Sequence, residues 1–437
     1  MIAIKNGKIV TPEGIVENKV LLIEGDRVKA FVDEKEYLGN RSGAAGAYSP
    51  DGASGRKNTA ETGSPDGDVG AESTAGAGDA AGTTGADKVI DARGRYVVPG
   101  FIDIHSDRIE QCIQPRPTSE MDFELALKEC ERELLHQGIT TMYHSLSLYK
   151  DEFFGKSPLR TRKNVGKLAD LIGNIHNRNH LIRHRLHLRV EIDHFEGLEI
   201  AKAMLAENKV HEISLMDHTP GQGQYRNLEI YEEAVLKYNG KEIKYSGIDG
   251  ILEYHRNKSV LSFDQLKELA DLAHACGVSV SSHDDDTEEK LAVNKAIGVD
   301  ISEFPILIET AKEAKQMGFY TVVGAPNILL GGSHSGNMSA AEAIKEGCAD
   351  ILCSDYYPPA ILHGIFIMHR EYGVPLHEMV NKATLNPAKA MRTDGDYGSV
   401  EVGKKADLLI INILDGYPVV THALVDGKTT SRVEYRR

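Results

Sequence analysis

The sequence predicts an α/β fold: a (β/α)8 barrel of the TIM type, joined to a small β-sandwich domain that is built from both termini. From Val98 onward, apolar strand-like runs alternate with helical patterns, as in a parallel barrel or a doubly wound sheet. Several of these runs end in a histidine or a carboxylate, and barrel enzymes carry their chemistry at the carboxyl ends of the strands. Both chain ends consist of short strand-like runs with tight turns.

The sandwich domain is predicted over residues 1–96 and 396–437. Asn6-Gly7 separates two strand-like runs, which is a strong hairpin signal. Neither end is apolar enough for a core of its own, so we expect the two ends to pack together. Residues from about 39 to 86 are dominated by Gly, Ala, Ser, Thr and Asp, and such a segment cannot offset its ordering entropy. We predict a disordered insert there, and its role stays open.

The composition of the 437-residue chain excludes some functional classes. The 65 acidic and 50 basic residues give a formal net charge of −15, which argues against a general nucleic-acid binder but not against a local anion site. The five cysteines form no CxxC pair, so a disulfide framework is not expected. The start lacks a signal-peptide pattern, and no apolar segment approaches the roughly 20 residues that span a bilayer. We expect a soluble, cytoplasmic protein without membrane partners.

The barrel is predicted over residues 97–395. Helix signals include the pattern at 123–137 and a capping box formed by Ser262 and Gln265. A polar, tyrosine-rich excursion at 226–260 is long enough to act as a lid over the site. The eight predicted strands are 98–105, 139–145, 185–192, 213–218, 278–283, 301–305, 320–326 and 350–355.

The first barrel strand ends in a histidine between carboxylates. Residues two apart on a strand share a face, so Asp103, His105 and Asp107 point to one side, whereas Ile102 and Ile104 point to the other. Imidazole nitrogen and carboxylate oxygen together suit a divalent cation. For this stretch alone, a hairpin whose polar side chains face water is an equal alternative.

The run from Arg185 to Asp193 alternates charged and aliphatic residues. A surface antiparallel strand would alternate in the same way. Inside a βα array, however, both faces of a strand are normally buried and apolar, so a charged face indicates a polar site. Glu191, near the carboxyl end, is placed to bridge two metal ions. Arg185 and Arg189 are placed to offset its charge or to contact an anion.

Three later strands end in residues of the same kinds. His218 precedes a Pro-Gly turn, His283 precedes three carboxylates, and Asp355 ends the last apolar strand. Each histidine alone is more simply explained as an ordinary solvated or hydrogen-bonded residue. Their shared position at strand ends nevertheless favours one common site. The predicted metal ligands are His105, Asp107, Glu191, His218, His283 and Asp355.

Six such ligands suit two cations that share a bridging carboxylate and a bridging hydroxide. Two metals lower the pKa of bound water and hold both the attacking and the leaving oxygen. Asp355 is placed to bind one metal and to take the proton from the nucleophile as a general base. The barrel is therefore predicted to be metal-dependent, with zinc, manganese and iron all compatible with the ligand types.

Two segments are candidates for phosphate contact. The glycine-rich stretch that ends at Asn337 lets backbone N–H groups approach an anion, and Ser333 and His334 add donors. Arg116, in a proline-flanked turn after the first metal motif, is placed to direct a guanidinium at phosphate. An ordinary loop and a rigid surface turn are the alternatives for these segments.

These motifs resemble the amidohydrolase superfamily and, within it, the phosphonate-metabolism family of α-D-ribose 1-methylphosphonate 5-triphosphate diphosphatases. The terminal sandwich, the Pro99-Gly-Phe-Ile-Asp-Ile-His105 opening and the Asp355 ending match the superfamily. His105-Ser-Asp107 replaces its usual His-x-His, a departure that this family shares, and Glu191 would replace the modified lysine common elsewhere. Further matching motifs are Gln114-Pro-Arg-Pro, His184-Arg-Leu-His-Leu-Arg, Ser214-Leu-Met-Asp-His-Thr-Pro-Gly-Gln, Ser282-His-Asp-Asp, Glu303-Phe-Pro, Gly324-Ala-Pro-Asn, Gly331-Gly-Ser-His-Ser-Gly-Asn and Ser354-Asp-Tyr-Tyr-Pro.

The resemblance implies a hydrolase that cleaves the 5-triphosphate of a ribose 1-phosphonate, releases pyrophosphate and leaves a 5-phosphate. A metal-bound hydroxide would attack phosphorus, while Arg116, Arg185 and Arg189 would spread the developing charge. Other enzymes of the carbon–phosphorus lyase pathway are the implied partners, and the oligomeric state, a homodimer included, stays open. An amidohydrolase acting on a carbon–nitrogen bond and a non-catalytic binding protein are the alternatives.

Overall fold

The computed structural model describes residues 1–38, 86–148, 158–218, 223, 253, 258–332 and 337–436. The insert predicted at 39–86 and the lid predicted at 226–260 lie almost entirely outside these residues, so both stay predictions. Within the described ranges, no helix is both long and apolar enough to cross a membrane.

The first strands of the chain enter two different sheets. Asn6 has the positive φ of 55° expected from the Asn-Gly signal, but the strands on either side of it do not pair with each other, so the predicted hairpin is wrong. Gly7 lies where a Cβ atom would approach Val97 Cγ2 to 2.7 Å, because the chain crosses the sandwich core at this point. The strands are β1 (Ile2–Lys5), β2 (Lys8–Thr11), β3 (Gly14–Val16), β4 (Lys19–Glu24), β5 (Arg27–Asp33), β6 (Lys88–Asp91) and β7 (Tyr96–Pro99).

Eight parallel strands form the barrel, which confirms the predicted fold class. Each strand pairs with its neighbour in chain order, so all carboxyl ends lie at one rim. A parallel bridge between Ser106 and Asp355 joins the first strand to the end of the last and closes the barrel. The strands are β8 (Phe101–Ser106), β9 (Ile139–Leu148), β10 (Arg183–Glu191), β11 (Glu212–Met216), β12 (Ser279–His283), β13 (Ile301–Glu303), β14 (Tyr320–Gly324) and β15 (Ile351–Cys353).

Helices follow the barrel strands and cover their outer faces. The predicted capping box is present: Ser262 Oγ accepts from the backbone N–H of Gln265 at 3.3 Å, and the Gln265 side chain accepts from the backbone N–H of Ser262 at 2.9 Å. The helices are α1 (Arg108–Ile113), α2 (Phe123–His136), α3 (Arg162–Asn174), α4 (Phe195–Ala206), α5 (Phe263–Ala275), α6 (Glu288–Ile297), α7 (Ile308–Gln316), α8 (Ala325–Leu330), α9 (Ala340–Lys345), α10 (Pro359–Tyr372), α11 (Leu376–Lys382) and α12 (Leu385–Ala390), with 3₁₀ turns at Pro158–Arg160 and Ile175–Asn177.

The last strands, β16 (Leu408–Leu414), β17 (Tyr417–Val425) and β18 (Lys428–Arg432), return to the amino-terminal sheets. One sheet has the order β18-β17-β16-β7-β2-β3 and the other β5-β4-β1-β6. Successive side chains of a strand point to opposite faces of the sheet, so neighbouring residues of β16 pack in different cores. Leu408 and Ile410 pack inside the sandwich, whereas Leu409 and Ile411 pack in the core that also holds the barrel helices.

A buried ion cluster ties the barrel to the sandwich. Arg183, at the amino end of β10, donates through both terminal nitrogens to the Asp407 carboxylate and through Nη2 to Asp426 at 2.5 Å. The Arg183 and Asp407 side chains are 7% and 9% exposed. This cluster fixes the amino-terminal end of the barrel, opposite the candidate site.

Candidate metal centre

His105 lies at the centre of the carboxyl rim. It is the next-to-last residue of β8 and is 3% exposed. Its Nδ1 atom lies 2.7 Å from Oε1 of Glu303, the last residue of β13. Burial opposes the charged imidazolium, but the charge and hydrogen bond of Glu303 outweigh burial and raise the pKa of His105. Nδ1 therefore carries a proton.

His187 and Glu303 complete a cluster whose role the sequence analysis missed. His105, His187 and Glu303 each offer a ligand atom, and these atoms all lie within 4.8 Å of one another. His187 Nδ1 lies 3.0 Å from the carbonyl oxygen of Ile104, so this nitrogen is the protonated one. Burial lowers the pKa of His187 to about 3, which keeps the ring neutral. Both are titratable side chains on buried strands, and this is the same sequence signal that identified Glu191.

Three other predicted ligands, His283, Asp355 and Asp107, come from strand ends close to His105. The ring centroids of His105 and His283 are 5.5 Å apart. The backbone N–H of Asp355 donates to the His105 carbonyl at 3.0 Å, and that of Asp107 donates to the Asp355 carbonyl at 3.1 Å. Asp107 Oδ1 is buried and, among the described residues, has no hydrogen-bond partner. An orphaned carboxylate oxygen two residues beyond His105 fits a cation site.

Glu191 and His218 form a second pair on the same rim. Glu191 ends β10, and its Oε1 lies 2.7 Å from His218 Nδ1, with both residues buried. His218 is within electrostatic reach of Asp284, whose Oδ2 lies 2.9 Å from His283 Nδ1 without hydrogen-bond alignment. The six predicted ligands thus border one rim, and their nitrogen and oxygen atoms suit a borderline divalent metal.

The structure separates the two arginines of β10. Arg189 is within electrostatic reach of His105, His187 and Glu110, and its Nε is buried with no hydrogen-bond partner in the described part of the chain. Arg185 lies four residues, about 13 Å, nearer the amino end of the strand. The structure brings Arg189 to the rim and does not bring Arg185 there.

The other predicted phosphate contacts lie farther along the chain. Arg116 is in an exposed turn, where its carbonyl accepts from the backbone N–H of Ser119 at 3.0 Å. Asn337 is half-buried just before α9, whereas Ser333 and His334 lie outside the described residues. Asn327 in α8 anchors the far side of this loop, because its Nδ2 donates to the Met338 carbonyl at 3.1 Å.

Comparisons with known proteins match this architecture. Residues 197–430 match the amidohydrolase family model. The α-D-ribose 1-methylphosphonate 5-triphosphate diphosphatase of Escherichia coli K12 is 32% identical over 349 residues, which cover 78% of this chain and 89% of that protein. An imidazolonepropionase of Thermoanaerobacter pseudethanolicus is 23% identical, over 74% of this chain and 78% of that protein.

Solved structures share the fold at low sequence identity. A dihydropyrimidinase from Brevibacillus agri superposes with a TM-score of 0.60 at 13% identity, covering 98% of this chain and 95% of that one. An N-acetylglucosamine-6-phosphate deacetylase from Pasteurella multocida gives 0.58 at 12% identity, covering 98% and 99%. The chain therefore belongs to the amidohydrolase superfamily, in the family that includes the Escherichia coli diphosphatase.

Proposed function

We propose that this protein is a metal-dependent diphosphatase that cleaves α-D-ribose 1-methylphosphonate 5-triphosphate to the 5-phosphate and pyrophosphate, within the carbon–phosphorus lyase pathway of phosphonate use. The observation that most directly supports this proposal is the state of Arg189. This cation lies at the rim with a buried Nε and forms no ion pair among the described residues. Arg189 is half-buried and its Nε is shielded from water, so a polyanionic substrate would supply the hydrogen-bond acceptors that this group lacks among the described residues. The 32% identity to the Escherichia coli enzyme supports this choice of substrate.

His105, Asp107, Glu191, His218, His283 and Asp355 are the residues that would hold two divalent ions. When bound, such ions lower the pKa of a coordinated water and polarise a phosphoryl oxygen. The chain supplies the remaining chemistry. Arg189 donates to the non-bridging phosphate oxygens and so binds the triphosphate at the rim.

Asp355 accepts the proton of the attacking water as general base. Its backbone is held on both sides, because its N–H donates to His105 and its carbonyl accepts from Asp107 and from Ser106 Oγ at 2.7 Å. The side chain lies against the end of β14, since a Cβ atom built at Gly324 would be 3.7 Å from Asp355 Oδ2, an ordinary contact distance. This anchoring keeps the carboxylate at the rim during proton transfer.

Hydrolysis of a carbon–nitrogen bond is the second candidate. The similarity to an imidazolonepropionase and the same ligand types support it. A neutral amide, however, would offer Arg189 no anionic group to bind, and this is why we place the diphosphatase first.

Phosphorus NMR of the purified, metal-loaded protein with the ribose triphosphate tests the proposal. Free pyrophosphate and a 5-monophosphate are expected, and Asp355→Asn should abolish both signals. Orthophosphate would move the attack to the terminal phosphorus. No turnover at full metal occupancy would refute the diphosphatase assignment, and cyclic amides would then be the substrates to screen.

A further inference from the structure

Glu303 is a fully enclosed carboxylate at the rim, with no exposed surface. Its Oε1 lies 2.7 Å from His105 Nδ1, and its Oε2 accepts from Ser214 Oγ at 2.8 Å. Both carboxylate oxygens are therefore engaged. Each oxygen keeps a second lone pair, so Glu303 could support His105 or itself bind an ion shared with His105 and His187, and the two roles differ in the spectrum of a bound metal.

The contact with Glu303 decides which nitrogen of His105 can bind a metal. An ionised carboxylate has no proton to donate, so His105 must donate through Nδ1. The only remaining lone pair of the neutral ring is then on Nε2. The ring is also confined laterally, because Phe304 and His187 pack perpendicular to it with centroids 4.9 and 5.0 Å away.

We infer that Glu303 is a positioning residue, which holds His105 in the Nδ1-protonated form and directs Nε2 to the metal. Partners of this kind fix the tautomer and orientation of a liganding histidine, and their loss typically costs 10- to 100-fold in metal affinity. The inference rests on the metal centre of the proposed function and is independent of its substrate.

The chain offers a matched control in Glu131, on α2. Glu131 is also buried, and its Oε2 lies 3.2 Å from Nε2 of a buried histidine, His184. This second pair lies between the helix layer and the outer face of β10, because His184 alternates with the inward-facing His187. Glu131→Gln therefore also removes a buried carboxylate charge beside a histidine, but at a distance from the rim.

The test is Co²⁺ affinity, measured by chelator competition on the wild-type protein, Glu303→Gln and Glu131→Gln. We expect Glu303→Gln to bind Co²⁺ roughly 10- to 100-fold more weakly and Glu131→Gln to match the wild type. At saturation, the visible absorption of bound Co²⁺ should keep its band positions and intensity in Glu303→Gln, because the ligand set is unchanged.

Three results would overturn the inference. Unchanged affinity in Glu303→Gln would show that His105 needs no support, and a changed Co²⁺ spectrum at saturation would make Glu303 itself a ligand. A wild-type protein that binds no Co²⁺ would instead overturn the metal centre on which both proposals rest. If Glu303→Gln does not fold, Ser214→Ala tests the positioning role through the other carboxylate oxygen, because it removes the hydrogen bond that holds Oε2 and loosens the carboxylate that His105 contacts. It should weaken Co²⁺ binding several-fold, and unchanged affinity would refute the positioning role.

Discussion

Replacement of Arg189 by glutamine should impair substrate binding while leaving the metal site occupied. A hydrogen bond to a charged group contributes about 1.5–3 kcal/mol, and about 1.4 kcal/mol corresponds to a factor of ten. One lost guanidinium contact should therefore lower kcat/KM by roughly 10- to 150-fold. Most of the change should be in KM, because the proposed general base, Asp355, is untouched. Pyrophosphate release against substrate concentration measures both constants, and metal analysis verifies occupancy.

Arg185→Gln is the control for this experiment. Arg185 has the same side chain and lies on the same strand and the same inward face, but about 13 Å deeper in the barrel. Its replacement should change kcat/KM by no more than about twofold, since a contact at that depth is out of reach of the rim. An equal loss in Arg185→Gln, or a normal KM in Arg189→Gln, would refute the assignment of the anion contact to Arg189.

Two further predictions concern stability. Asp407→Asn should lower the free energy of unfolding in urea by about 3 kcal/mol, because buried Arg183 then keeps only the carboxylate of Asp426, which is 40% exposed. Asp426→Asn leaves the buried pair of Arg183 and Asp407 intact and should cost no more than about 1 kcal/mol; equal losses would contradict this. Stability should also fall as the pH drops from 7 to 3. Burial holds the pKa of His184 below 6.5, so the unfolded chain binds a proton that the folded chain excludes as the pH falls below 6.5. Burial opposes ionisation of Glu131, but the hydrogen bond from His184 outweighs burial and lowers the pKa of Glu131 from 4.5 to about 2, so the unfolded chain binds a second proton first as the pH falls below 4.5. The urea midpoint of Glu131→Gln should depend less on pH than that of the wild type only below pH 4.5. A weaker pH dependence already at pH 6 would argue against this role of Glu131.

The barrel could be predicted because its signals are local. Each apolar run and each helix start is visible within about 15 residues, and the parallel order follows from the alternation of strands and helices. The position of titratable side chains at strand ends then predicted a common rim. The one local signal that failed, Asn6-Gly7, gave the right backbone conformation but the wrong pairing, because the turn connects two sheets rather than two neighbouring strands.

The contacts within the rim could not be predicted in the same way. Glu303 meets His105 across 198 residues of sequence, and no local pattern relates them. Strand period places Arg185 and Arg189 on one face and about 13 Å apart, but it does not show which of them lies at the rim. Depth follows from the register with the neighbouring strands, where Arg185 pairs with Tyr143 and Arg189 with Ser147.

Backbone strain at the rim gives an independent argument that it is a functional site. Asp284, Phe304 and Asp355 have φ angles of 54°, 53° and 56°, in the left-handed region that costs a non-glycine residue about 1–3 kcal/mol. Glycine would relieve this strain at any of the three. The side chains are nevertheless the ones that enclose His105 and His283, since the Phe304 ring lies within 5.1 Å of both ring centroids. Phe304 is the strongest case of the three, because aspartate tolerates this region better than an aromatic residue does. Residues held in this way cluster at ligand and active sites, so the strained turn that places the Phe304 ring against both histidines supports a functional role for this rim.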